Sequence, residues 1–85
     1  MTDDEWFDLL FKECGSEYVW VANKFSAKLA EHKRKYPAFQ IGRVVEMFLR
    51  ADQKTRVYYS YREIPYFTKS IHKSNSFRSF CESQS

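Results

Sequence analysis

The chain has 85 residues, 44% of them hydrophobic and 19% aromatic, with a formal net charge of +3. That length holds one core and no second one, and that much apolar material argues against whole-chain disorder. Two glycines and two prolines stand where average usage gives roughly six and four, so long helices with short joints fit better than a many-turned β fold.

The first predicted element is a helix in "TDDEWFDLLFKECG". Thr2 and Glu5 make a capping box, Asp3 and Asp4 suit the positive end of the helix dipole, and Gly15 is a stop. Trp6, Phe7, Leu10, Phe11 and Cys14 fall in one arc of about 140°. The second is "SEYVWVANKFSAKLAEHKRKYP", with Ser16 as cap and Pro37 as stop. Tyr18, Ala22, Phe25, Leu29 and Tyr36 share its apolar face. "YVWV" also has strand character, but the apolar period runs on to Leu29. The third, "AFQIGRVVEMFLRAD", has a broad face of Ile41, Val44, Val45, Phe48 and Leu49, which marks it as the central helix.

"TRVYYSYREI" is rich in strand formers, and a short β segment is expected near residues 55–63. As a strand it places Val57, Tyr59 and Tyr61 on a core face, and Arg56, Tyr58, Ser60 and Arg62 on the other. Such a strand needs a partner, from "YVWV" or from a second copy of the chain. Pro65 opens a last short helix, "PYFTKSIHKS", anchored by Tyr66, Phe67 and Ile71. The expected fold is therefore mainly α: a compact three- to four-helix domain over residues 1–75 with one β segment, and a serine-rich flexible tail over 76–85. The alternative is a small α+β, winged-helix-like domain. Helix 2, Pro37 and helix 3 follow helix–turn–helix order, but an apolar helix 3 is a poor recognition helix. No family resemblance emerges from these residues.

The chemistry of an enzyme is not visible. His32 and His72 sit in no catalytic motif, no phosphate loop or C-x-x-C occurs, and the acids of helix 1 lack the spacing of a calcium loop. No cofactor or metal is expected. Cys14 and Cys81 make no disulfide framework, which fits a reducing intracellular setting, cytoplasmic or nuclear. No apolar run approaches the ~20 residues of a membrane span, and the acidic start is unlike a signal peptide.

Charge is unevenly spread. Residues 1–17 hold six acids and one base, a charge of −5; residues 18–85 hold thirteen bases and five acids, a charge of +8. A basic body suits a polyanion. Packing of the acidic helix against basic neighbours is the plainer reading.

Lys24, Lys28 and Lys35 lie within about 40° on helix 2 beside Trp20, although Glu31 interrupts the stripe. Arg56, Tyr58 and Arg62 combine cations with an aromatic, as single-strand nucleic-acid sites and protein hot spots both do. Arg43 and Arg50 add charge from helix 3.

These residues, Trp20, Lys24, Lys28, Lys35, Arg43, Arg50, Arg56, Tyr58 and Arg62, form the expected binding set. The expected function is a non-enzymatic regulatory protein that associates with nucleic acid. The rival is a protein–protein module, a small inhibitor, adaptor or subunit using the Trp, Tyr and Arg side chains. A third reading makes helix 1 a groove-binding element, though a chain this short needs it for core. A homodimer is compatible with either main function. Serines 70, 74, 76, 79, 83 and 85, near Lys69, Lys73 and Arg78, offer phosphorylation sites that would lower the local charge.

Overall fold

The computed structural model describes the backbone of residues 1–72 and the side chains of residues 1–69. Within them lie five helices: α1 (Asp3–Cys14), α2 (Val19–Lys35), α3 (Ile41–Arg50), α4 (Gln53–Ser60) and α5 (Ile64–His72). There is no strand among the described residues. The expected tail over 76–85, Cys81 and the Ile71 anchor lie outside the described residues or side chains.

α1 forms as its sequence dictates. The Thr2 hydroxyl accepts from the Glu5 amide at 3.3 Å, and the Glu5 carboxylate accepts from the Thr2 amide at 3.0 Å. The Thr2 amide, and then its hydroxyl at 3.2 Å, donate to the Glu5 carboxylate and hold it below its ordinary pKa. Gly15 closes the helix at φ 78, ψ 173, a conformation essentially confined to glycine. Leu10 and Cys14 are buried, with Trp6, Phe7 and Phe11 packed at the margin of the core. Burial raises the Cys14 pKa, so its thiol stays protonated.

α2 starts later than the sequence suggests. Residues 15–18 form a turn, and Tyr18, not Ser16, occupies the N-cap without a side-chain bond. "YVWV" is helical from Val19 onward. Val21, Ala22, Phe25 and Leu29 are buried. Tyr36, expected on that face, caps the helix and is 58% exposed, its ring 4.7 Å from that of His32.

The largest correction concerns residues 55–63, which are helical rather than β. Asp52 caps α4, its carboxylate accepting from the Thr55 amide at 2.8 Å, and hydrogen bonds from the Thr55 side chain and then its amide lower the Asp52 pKa. A lone strand would leave its backbone groups unpaired, whereas a helix satisfies its own. Helical geometry also brings the Ser60 hydroxyl within 2.7 Å of the Val57 carbonyl, so this fully buried polar group is bonded. Tertiary context thus overrides the strand propensity of "RVYYSY".

Helix α2 is the hub, touching α1 on one flank and α4 and α5 on the other, while α1 also packs on α3. α3, expected to be central, is instead the most thoroughly buried helix: Ile41, Val44, Val45, Met47 and Phe48 all face the core. Phe25 of α2 stacks on Phe48 of α3 with centroids 3.8 Å apart, and Phe67 of α5 meets both edge-on at 5.6 and 5.8 Å. Each buried Phe is worth about 2–3 kcal/mol, with about 1 kcal/mol more for each favourable ring pair. Tyr59 of α4 closes the cluster, 5.1 Å from Phe67.

Gly42 marks a close approach of α1 to α3. A Cβ there would stand 2.5 Å from the Trp6 indole nitrogen. Glycine to alanine in a helix ordinarily gains about 0.5–1 kcal/mol. Here the rigid indole must give way, and we expect Gly42→Ala to cost about 1–3 kcal/mol as overpacking. A urea melt reads the sign directly; a raised midpoint would contradict the α1–α3 contact described.

A ring-and-cation face on helices 2, 4 and 5

Three of the seven charged side chains singled out in the sequence, Lys24, Lys28 and Arg62, are brought together by one geometric fact: α4 runs beside the polar flank of α2. At about 100° per residue, Lys54, Tyr58 and Tyr61 share an arc of about 60° on and just after α4. All three are exposed, while Arg56, Val57, Tyr59 and Ser60 turn inward or to the margin.

Trp20, Lys24 and Lys28 of α2 therefore meet Tyr58, Tyr61 and Arg62. The Lys24 ammonium lies 4.0 Å from the Tyr61 ring centroid and 5.9 Å from that of Trp20, and the two rings are 5.9 Å apart at 49°. The Arg62 guanidinium lies 5.1 Å from the Tyr58 ring and 5.6 Å from that of Tyr66 on α5. Arg62 also donates to the Tyr58 hydroxyl, at 2.8 and 3.2 Å. The Lys28 ammonium donates to the Arg62 carbonyl at 2.7 Å, tying the end of α4 to α2.

Trp20, Tyr58, Tyr61 and Tyr66 are 36%, 51%, 62% and 59% exposed. Cation–π contacts at such sites are worth about 0.5–1 kcal/mol each, enough to bias the rings without burying them. Among the described residues, no carboxylate stands within ion-pair distance of Lys24, Lys28 or Arg62.

The other members of the expected set lie elsewhere. Lys35 is two turns beyond Lys28 and pairs with Glu31 at 3.6 Å. Arg43 lines a cleft of about 470 Å³ that it shares with Asp3, Trp6, Lys33 and Glu46, so cations and carboxylates are mixed there. Arg50 is exposed in the last turn of α3, where the dipole favours a cation. Arg56 departs furthest from the expected strand face. It is half-buried and donates to the Phe48 and Leu49 carbonyls at 3.2 and 2.5 Å, capping α3.

Two members of the face, Tyr61 and Tyr66, were not in the expected set, because the strand period assigns Tyr61 to the core and Tyr66 reads as a helix anchor. A helical period begun at the Asp52 cap places Tyr61 outward beside Tyr58. Phe67 alone is the buried anchor of the pair 66–67.

Among the described residues no cluster of three or more His, Cys, Asp or Glu side chains is placed to hold a metal ion, and no helix is long and apolar enough to cross a membrane. No protein-family model, curated protein or solved structure matches this chain.

The two arginines of "RVYYSYR" thus have different work, and stability separates them. Arg56→Ala strips charged donors from two α3 carbonyls and is expected to cost about 1–3 kcal/mol. Arg62→Ala, on the exposed face, is expected to change stability by about 0.5 kcal/mol or less. Equal shifts in the urea midpoint would contradict this division.

Proposed function

We propose that this chain is a small, non-enzymatic, regulatory binding protein that associates with nucleic acid through the face built by α2, α4 and α5. The observation that carries the reading is the convergence of Lys24, Lys28 and Arg62 with four exposed rings on one surface, none of the three ion-paired among the described residues, with Glu31 and Glu63 lining the cleft beside Lys28. Cations outside ion pairs are available to phosphates, and each phosphate neutralised releases condensed counterions. Lys24 and Arg62 hold phosphates, and Lys28 adds charge while fixing the turn after α4. Lys35, Arg43 and Arg50 contribute long-range attraction rather than contacts at the face.

A second reading has its own support. Trp, Tyr and Arg are the residues enriched in protein-interface hot spots, and here they are held in place by one another, which lowers the ordering cost of binding. In that reading the face docks on a protein, and the chain acts as an inhibitor, adaptor or subunit. Either role suits a protein acting inside the cell, in cytoplasm or nucleus, and a homodimer would present two faces to one ligand.

Salt dependence discriminates. With about two phosphate contacts, affinity for a labelled oligonucleotide is expected to fall about 7- to 12-fold between 50 and 200 mM salt. Lys24→Glu is expected to weaken binding further. Fluorescence anisotropy of duplex and single-stranded probes measures both effects. Absence of binding at 50 mM salt by the folded protein, or binding indifferent to salt, would refute the nucleic-acid reading. One stoichiometric protein retained in a pull-down at moderate salt would replace it with the second.

A further inference from the structure

The face has a composition that separates two kinds of nucleic acid. Resting on the nucleic-acid reading above, we infer that its ligand is single-stranded, with unstacked bases lying on Tyr61, Trp20 and Tyr66 while Lys24 and Arg62 hold the intervening phosphates.

Three observations carry this. First, exposed rings outnumber the cations that touch them, four to two. In a duplex the base faces are covered by their neighbours, and an exposed ring gains nothing unless it wedges between steps. Wedges are apolar side chains such as Phe, Leu or Met, not tyrosines whose hydroxyl would lose its water. An unstacked base, by contrast, offers a π face to any aromatic ring, at a gain that does not depend on sequence.

Second, rings and cations alternate. Lys24 stands between Tyr61 and Trp20, and Arg62 between Tyr58 and Tyr66. Tyr61 and Arg62 are adjacent residues, so the two units are joined. A phosphate held at either cation brings its base to the edge of a ring, which is the arrangement of stacking platforms along a cationic track. Two such units suit a short footprint, about four nucleotides, the low end for single-strand sites.

Third, among the described residues the helix in recognition position is not free to enter a major groove. α3, which follows α2 in helix–turn–helix order, has five of its ten residues buried in the core. The α2 flank that carries Lys24 and Lys28 has α4 and α5 packed beside it, and Lys28 is bonded to the Arg62 carbonyl at the end of α4.

The test uses the full chain and fluorescein-labelled dT12, with a 12-base-pair duplex as comparison, at 50 and 200 mM salt. The single strand is expected to bind at least tenfold more tightly than the duplex. Tyr61→Ala is expected to weaken it by about five- to a hundredfold at both salt concentrations, leaving the salt slope unchanged, whereas Tyr61→Phe retains binding. Lys24→Ala is expected to flatten the slope. Tyr61 is exposed, and matching circular dichroism spectra verify that its variants fold. Salt-dependent binding of duplex as tight as single strand, unchanged by Tyr61→Ala and Tyr66→Ala, would overturn the single-strand inference and leave the nucleic-acid reading standing. Failure of the folded protein to bind either probe would overturn both.

Discussion

The stacking of Phe25 on Phe48, closed edge-on by Phe67, is the contact on which the rest of the architecture depends. It joins the faces of α2, α3 and α5 in one cluster and brings Tyr59 of α4 against them. A chain of this size buries a modest fraction of its surface, so few large side chains must hold the helices in place. Because α5 is pinned to α2 through Phe67, the segment before it, with Tyr61 and Arg62, has to run along the flank of α2 that carries Lys24 and Lys28. The exposed face is therefore a consequence of the core.

The same hub sorts the charges. α1 packs on α3 and on one flank of α2; α4 and α5 take the other. Asp3 lines a cleft with Lys33 and Arg43, so acidic and basic residues stand together on that side. Lys24, Lys28 and Arg62 stand with aromatic rings and a backbone carbonyl instead. The basic residues thus fall into two groups, one beside the acids of α1 and α3 and one set among aromatic rings, with Glu31 and Glu63 at its Lys28 edge.

Much of this is readable from residues alone, and the exceptions are instructive. The capping box of α1, its Gly15 stop and the apolar faces of α1 and α3 follow from local chemistry and are where the sequence puts them. Trp20, Lys24 and Lys28 fall on one face because a helical wheel is a reliable ruler once the helix is known. "RVYYSYR" misleads because β-branched and aromatic residues also serve in helices whose packing requires them, and the deciding cue is Asp52, four residues upstream. With period 2 in place of 3.6, Arg56 and Ser60 move outward and Tyr61 inward, the reverse of their true positions. That α4 lies beside α2 is a property of the tertiary fold, and no spacing along the chain reveals it.

The ring-and-cation face is the surface at which a ligand is proposed to arrive. Two-dimensional 1H–15N spectra of the labelled protein, recorded as a short single-stranded oligonucleotide is added, test this most directly. Shifts concentrated on the Trp20 indole and on the amides of Lys24, Lys28, Tyr58 to Arg62 and Tyr66, with the Trp6 indole unmoved, are the predicted result. Shifts centred on Lys33, Arg43 and Trp6 would place binding in the cleft between α1 and α3 and contradict the assignment, as would a spectrum that does not change.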